Sequence, residues 1–127
     1  MSYYFSKESS LGIEEAEARV REELKKEGFG VLTEIDVKQT LKSKLDVDFK
    51  PYKILGACNP PFAHKALQAE EHIGLMLPCN VVLQEKAGKT LVSAIDPVAS
   101  MQAVDNSTLQ GIAAEIQVRL KRVIESL

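Results

Sequence analysis

Apolar residues recur along the chain with two different periods. Ile13, Ala16, Val20 and Leu24 fall three or four positions apart, which lines them along one face of a helix. Glu14 and Glu15 open that segment, and Lys25 and Lys26 close it. Each pair complements the nearer end of the helix dipole, and Gly28 suits the left-handed stop that follows. A longer stripe runs through Leu109, Ile112, Ala113, Ile116, Leu120, Val123, Ile124 and Leu127. It predicts a helix of about six turns, roughly 30 Å long. Ser107 with Gln110 resembles its capping box.

The second period is two. "YYFSKE" (3–8) alternates weakly and "GVLTEI" (30–35) reads as a strand. "YKILGAC" (52–58) is a third strand. "NVVLQEK" and "TLVSAID" flank Ala87-Gly88 as a hairpin, giving strands four and five. Asp36 with Gln39 suggests the cap of a short helix, along which Val37, Leu41 and Leu45 form one apolar line.

The order is therefore strand, helix, four strands, helix, with short helices in the connections. That order predicts an α+β fold: an antiparallel sheet with its helices on one face. In strands three to five, apolar residues alternate with other apolar residues, so both faces of the sheet want cover. The helices suffice for one face. The other is expected to meet a second copy of the chain, making a homodimer.

Composition narrows the class. A chain of 127 residues, 45% hydrophobic and 27% charged, fits a single globular domain, 1–127. A net charge of −2 gives no whole-molecule attraction to nucleic acid. Lys38, Lys42, Lys44, Lys50 and Lys53 lie close together in sequence with only Asp46 and Asp48 among them, a pattern read as a solvated face. The N-terminal "MSYYFSKESS" lacks the basic start and apolar run of a signal peptide. The longest apolar run, "IGLMLPCNVVL" (73–83), is too short and too interrupted to span a bilayer. A soluble cytoplasmic protein with no membrane association is expected, and there its thiols stay reduced.

The chemistry-bearing residues crowd into "GACNPPFAHKALQAEEHIGLMLPCN" (56–80), which holds both cysteines and both histidines. If strands three and four are antiparallel neighbours, Cys58 and Cys79 fall at the same end of the sheet. The hairpin brings Asp96 to that end too. Each residue has a plain structural explanation. Asn59 before Pro60 suits a helix N-cap, and small thiols pack well in a core. Asn80 suits a loop and Asp96 a turn. His64 and the run Glu70, Glu71 and His72 fit exposed helical positions.

A small-ligand pocket formed by Cys58, Asn59, Cys79, Asn80 and Asp96 is the reading carried forward. The alternatives are a thiol- or metal-dependent enzyme and a purely structural assembly domain. Metal-ligand spacing is poor: there is no C-x-x-C, and five residues separate Cys58 from His64. A thiol nucleophile needs a depressed pKa, which a helix beginning near residue 60 could give Cys58. No catalytic residue is assigned, no cofactor is indicated, and Gly-rich phosphate loops, G-x-S-x-G and H-E-x-x-H are lacking.

"YKILGACNP" and "EHIGLMLPCNVVLQE", with "GFGVLTEIDV" before them and the C-terminal helix after, resemble a bacterial domain-of-unknown-function family, number 302. The resemblance covers nearly the whole chain. It implies a TATA-binding-protein-like α+β fold and a dimeric assembly, and it brings no reaction, substrate or catalytic residue. The family's two Cys-Asn motifs fall on Cys58-Asn59 and Cys79-Asn80. DNA binding would rest on fold analogy alone, and the acidic balance does not favour it.

Overall fold

A computed structural model describes residues 2–127. The elements are β1 (Tyr4–Ser9), α1 (Ile13–Lys26), β2 (Gly30–Asp36), α2 (Val37–Leu45), β3 (Tyr52–Cys58), α3 (Pro60–Ala69), a 3-10 helix (Glu71–Met76), β4 (Cys79–Lys86), β5 (Lys89–Ile95), α4 (Pro97–Ser100) and α5 (Ser107–Glu125). The strands form one sheet in the order β1-β5-β4-β3-β2, and every pairing is antiparallel. The predicted α+β fold is the fold observed.

Alternation decides what lies under the helices. Leu55 and Ala57 of β3, Val81 and Leu83 of β4, and Val92 and Ala94 of β5 are all buried. They share one core with Ala16, Val20 and Leu24 of α1 and with Ile116, Leu120 and Val123 of α5. A smaller cluster, including Ala66, Ile73, Met101 and Leu109, packs beneath α3 and the 3-10 helix. The other residues of the same strands, among them Ile54, Val82 and Leu91, are only half-buried on the open face. No helix among the described residues is long and apolar enough to cross a membrane.

The helix ends show which local signals operate. Gly28 has φ 87°; its N–H donates to Lys25 O, and that of Phe29 donates to Leu24 O at 2.9 Å. This closes α1 with the expected left-handed stop. Asp36 caps α2, accepting from Gln39 N at 2.9 Å. α2 itself buries no residue, and Leu45 is exposed.

The cap of α5 departs from expectation. Asn106, not Ser107, occupies the N-cap, accepting from Thr108 N and Leu109 N at 3.0 and 3.3 Å. Its amide also donates to Ala69 O at 3.0 Å. One residue thus caps α5 and fastens it to the end of α3, a double role beyond a serine hydroxyl's reach. The lysine-rich segment is not uniformly solvated either. Lys53 points under α1, 2.7 Å from both Glu17 and Glu34.

Candidate functional site

β3 ends and β4 begins at one edge of the core. Their register pairs Ala57 with Cys79, which sets Cys58 one residue from a direct cross-strand partner of Cys79. Both cysteines border a single cavity of about 40 Å³, whose walls also include Phe29, Phe62, Leu77 and Met101, although alternation along β3 turns the Cys58 side chain to the face opposite Ala57 and Cys79. Neither cysteine is in a disulfide; Cys58 is half-buried and Cys79 buried. The cavity lies at the seam between the two clusters, with Ala57 and Cys79 from one and Ala66 and Met101 from the other. Its walls are almost wholly apolar, and its volume admits a water-sized occupant without rearrangement.

The electrostatics follow from the burial of Cys79. Burial first, and then the neighbouring Cys58, push the Cys79 thiol up to about 11. Desolvation penalises the thiolate, so Cys79 is a neutral thiol at physiological pH and a poor nucleophile.

Asn59 is 6% exposed and lies on the cavity wall, yet its amide is already engaged. It sits at the N-cap of α3 without making a capping hydrogen bond. Pro60 and Pro61, the first two helical residues, have no N–H to donate, which leaves only the Phe62 N–H in a cap's reach, and the side chain bonds elsewhere. Nδ2 donates to Glu27 O at 3.2 Å, the carbonyl that also accepts from Arg119 Nη1 at 3.0 Å. Asn59 is thus a bracket between the start of α3 and the end of α1. Gly28 belongs to that bracket, because a Cβ there would stand 3.0 Å from Asn59 Nδ2.

The other two predicted residues lie elsewhere. Asp96 is beside the cavity in sequence, since Pro97 lines it, but its carboxylate caps α4 through Val98 N at 3.0 Å. It also accepts from Gln117 Nε2 of α5 at 3.0 and 3.2 Å. These bonds leave the carboxylate outside the cavity wall. Asn80 follows Cys79 by one residue and therefore faces the opposite side of the sheet. It is exposed there and lines a shallow groove of about 360 Å³ with Tyr4, Tyr52, Val82, Gln84 and Leu91. Cys58, Asn59 and Cys79 are brought together; Asn80 and Asp96 are not part of that group.

Met101 is the residue that sequence reasoning missed. It follows α4 directly and is 6% exposed. No spacing relates it to the cysteines; only the path of the chain through α4 delivers it. His64 and His72 are exposed, as expected, and no group of three His, Cys, Asp or Glu side chains among the described residues could share a metal ion.

Gly56 sits on the open face beside this end of the sheet. A Cβ on it would overlap Thr33 Oγ1 and come within 2.6 Å of Pro78 Cγ. Only glycine lets β2 and the segment before β4 close over β3 at this point.

A solved structure shares this architecture throughout. It is the crystal structure of an uncharacterized conserved protein from Bacillus stearothermophilus, described as DUF302; it is 32% identical, with a TM-score of 0.91, and the match covers 98% of each chain. No protein among the curated, characterised ones matches. The model of the family described as "Domain of unknown function DUF302" matches residues 5–127, and the chain belongs to that family.

Proposed function

We propose that the protein is a small-ligand-binding module whose site is the cavity between Cys58 and Cys79. The observation that carries this reading is the cavity itself: a partly open, apolar-walled space of about 40 Å³ where the two core clusters meet. The Cys79 thiol is its main polar feature, since Asn59 Nδ2 is engaged by the Glu27 carbonyl. Thiol catalysis is the weaker reading, since burial keeps Cys79 protonated.

The test is a set of thermal melts against a library of small metabolites and ions, run beside Ala66→Val. Ala66 is buried on the cavity wall, and two added methyl groups fill the space. At least one ligand class should raise the wild-type Tm progressively with its concentration and leave the filled variant unmoved. No response from any class, or equal responses from both proteins, overturns the reading.

A separate observation favours homodimeric assembly. The open sheet face is uncharged at its centre, where Tyr52, Ile54, Val82, Leu91, Ser93 and Ile95 are half-buried, and Glu8, Lys86 and Lys89 stand at the strand ends. That is the composition of an interface core within a charged rim. Strand spacing and length give each face roughly 500 Å², so two faces together reach about 1,000 Å², the lower bound for a specific interface. Sedimentation at micromolar concentration should report twice the chain mass, and Val82→Glu should halve it. A wild-type monomer, or an unaffected variant, removes the dimer.

A further inference from the structure

Between α2 and β3 the chain runs LDVDFK (45–50), apolar and charged residues in alternation. That is the period of an extended chain with one covered side, yet every residue from 42 to 50 is exposed and 46–51 belong to no helix or strand. The charged side is engaged. Asp46 and Asp48 both reach Lys42 of α2, at 2.9 and 3.6 Å, and Lys50 Nζ donates to Gln84 Oε1 of β4 at 2.8 Å. The apolar side has no cover: Leu45, Val47 and Phe49 are 66%, 43% and 42% exposed.

This arm is continuous with the open sheet face. Pro51 O accepts from Glu85 N at 3.0 Å, which ties the base of the arm to β4, and the Phe49 ring lies 6.2 Å from that of Tyr52. Tyr52 and Gln84 pair across β3 and β4 on that face, and the next row holds Val82, Ile54 and the exposed Ile35. One apolar surface runs from the centre of the sheet onto the arm.

We infer that the arm 45–50 is an interface element that packs its apolar side on the open sheet face of a second copy, whose own arm does the same in return. This rests on the reading of that face as a homodimer interface and adds the segment that completes it. Area argues for this occupant. The two faces alone reach about 1,000 Å², the lower bound for a specific contact. The uncovered parts of Leu45, Val47 and Phe49 amount to roughly 300 Å² per arm, so two covered arms bring the contact to about 1,600 Å², the usual size of a specific complex. Charge agrees with the fit, since the centre of the face is uncharged and the ionised groups of the arm bond to Lys42 and Gln84 instead. An anionic membrane suits the arm less, because Asp46 and Asp48 offset Lys42 and Lys50.

The chain contains no tryptophan, so Phe49→Trp places a single fluorescent reporter on the arm. Its emission should move to shorter wavelength as the protein concentration rises through the dimerisation range followed by sedimentation. In a chain that also carries Val82→Glu it should stay at the wavelength of the dilute protein. Val47→Ser combined with Phe49→Ser should raise the dimer dissociation constant at least about tenfold. Leu75→Ser removes an exposed apolar side chain at the opposite end of the sheet and should leave that constant unchanged. Thermal melts of the dilute variants establish that each is folded. The inference is overturned if the wild type dimerises while the Phe49→Trp emission ignores concentration, if the double serine variant dimerises as tightly as wild type, or if Leu75→Ser weakens the dimer equally. In those cases the dimer stands and the arm is no part of it. A wild type that stays monomeric at every concentration removes both the dimer and the arm contact.

Discussion

Replacing Lys53 with methionine removes one charge from beneath α1 and keeps most of the aliphatic stem. The ammonium lies 2.7 Å from Glu17 Oε1 and 2.7 Å from Glu34 Oε1, with side-chain exposures of 24%, 15% and 42% for Lys53, Glu17 and Glu34. A charge-assisted hydrogen bond to a mostly buried carboxylate contributes about 1.5–3 kcal/mol. The bond to the more exposed Glu34 adds at most about 1 kcal/mol after solvent screening. Desolvating the ammonium and ordering its stem offset part of both, leaving about 1–2 kcal/mol at neutral pH.

The pH dependence follows from the two partners. Burial alone would raise the Glu17 pKa, but hydrogen bonds from Lys53 and Arg21 outweigh it and hold the carboxyl below its usual 4.5. The bonds to Glu17 and then Glu34 hold Lys53 above its usual 10.5. The carboxylate's share is present above 4.5 and disappears as pH falls through the lower folded value. The lysine's share is complete below 10.5 and disappears as pH climbs through the higher folded value. Urea unfolding at pH 7 should show the midpoint of Lys53→Met lower by about 0.5–1 M. The gap should close toward about pH 2.5, where the carboxylates are protonated. A gap under about 0.3 kcal/mol at pH 7, the size of an ordinary surface substitution, refutes the reasoning, as does one that persists unchanged in acid.

Asn106→Ala removes the α5 cap and the link to Ala69, which should cost about 1–2 kcal/mol; Asn106→Asp keeps the cap and should recover part of the loss in thermal melts. Gly56→Ala drives a methyl group against Thr33 and Pro78 and should cost about 1–3 kcal/mol. Gly74→Ala, with open space around it, serves as the control in the same melts. Cys79 should resist iodoacetamide at pH 7 and react faster as pH approaches about 11, which peptide mass mapping can follow. Modification at neutral pH as fast as an unfolded cysteine would contradict its burial.

Much of the architecture was legible because it rests on local periodicity. The stripe on α5, the glycine closing α1 and the alternating strands follow rules that act within a few residues. The neighbourhood of Cys58 and Cys79 followed from antiparallel pairing alone. What escaped depends on finer or more distant geometry. Asn80 adjoins Cys79 in sequence, yet consecutive strand residues face opposite ways. Asp96 has an acid's chemistry, but Gln117 and the α4 backbone claim it. Asn59 stands where a cap belongs, but its side chain makes no cap and its Nδ2 reaches the Glu27 carbonyl instead. Met101 reaches the thiols only through the turn of α4, and Lys53 finds Glu17 across 36 positions of sequence.

The outermost strand carries a temporal consequence. β1 has one neighbour, β5, and their register joins Tyr4 to Ile95 and Ser9 to Thr90. A ribosome adding about 5–20 residues per second therefore leaves the nascent β1 without its hydrogen-bonding mate for roughly 4–17 seconds. Throughout that interval its backbone amides are open to any other extended chain nearby. Charged Lys7 and Glu8 on this short segment are the kind of residues that keep such a waiting strand from sticking before its mate emerges.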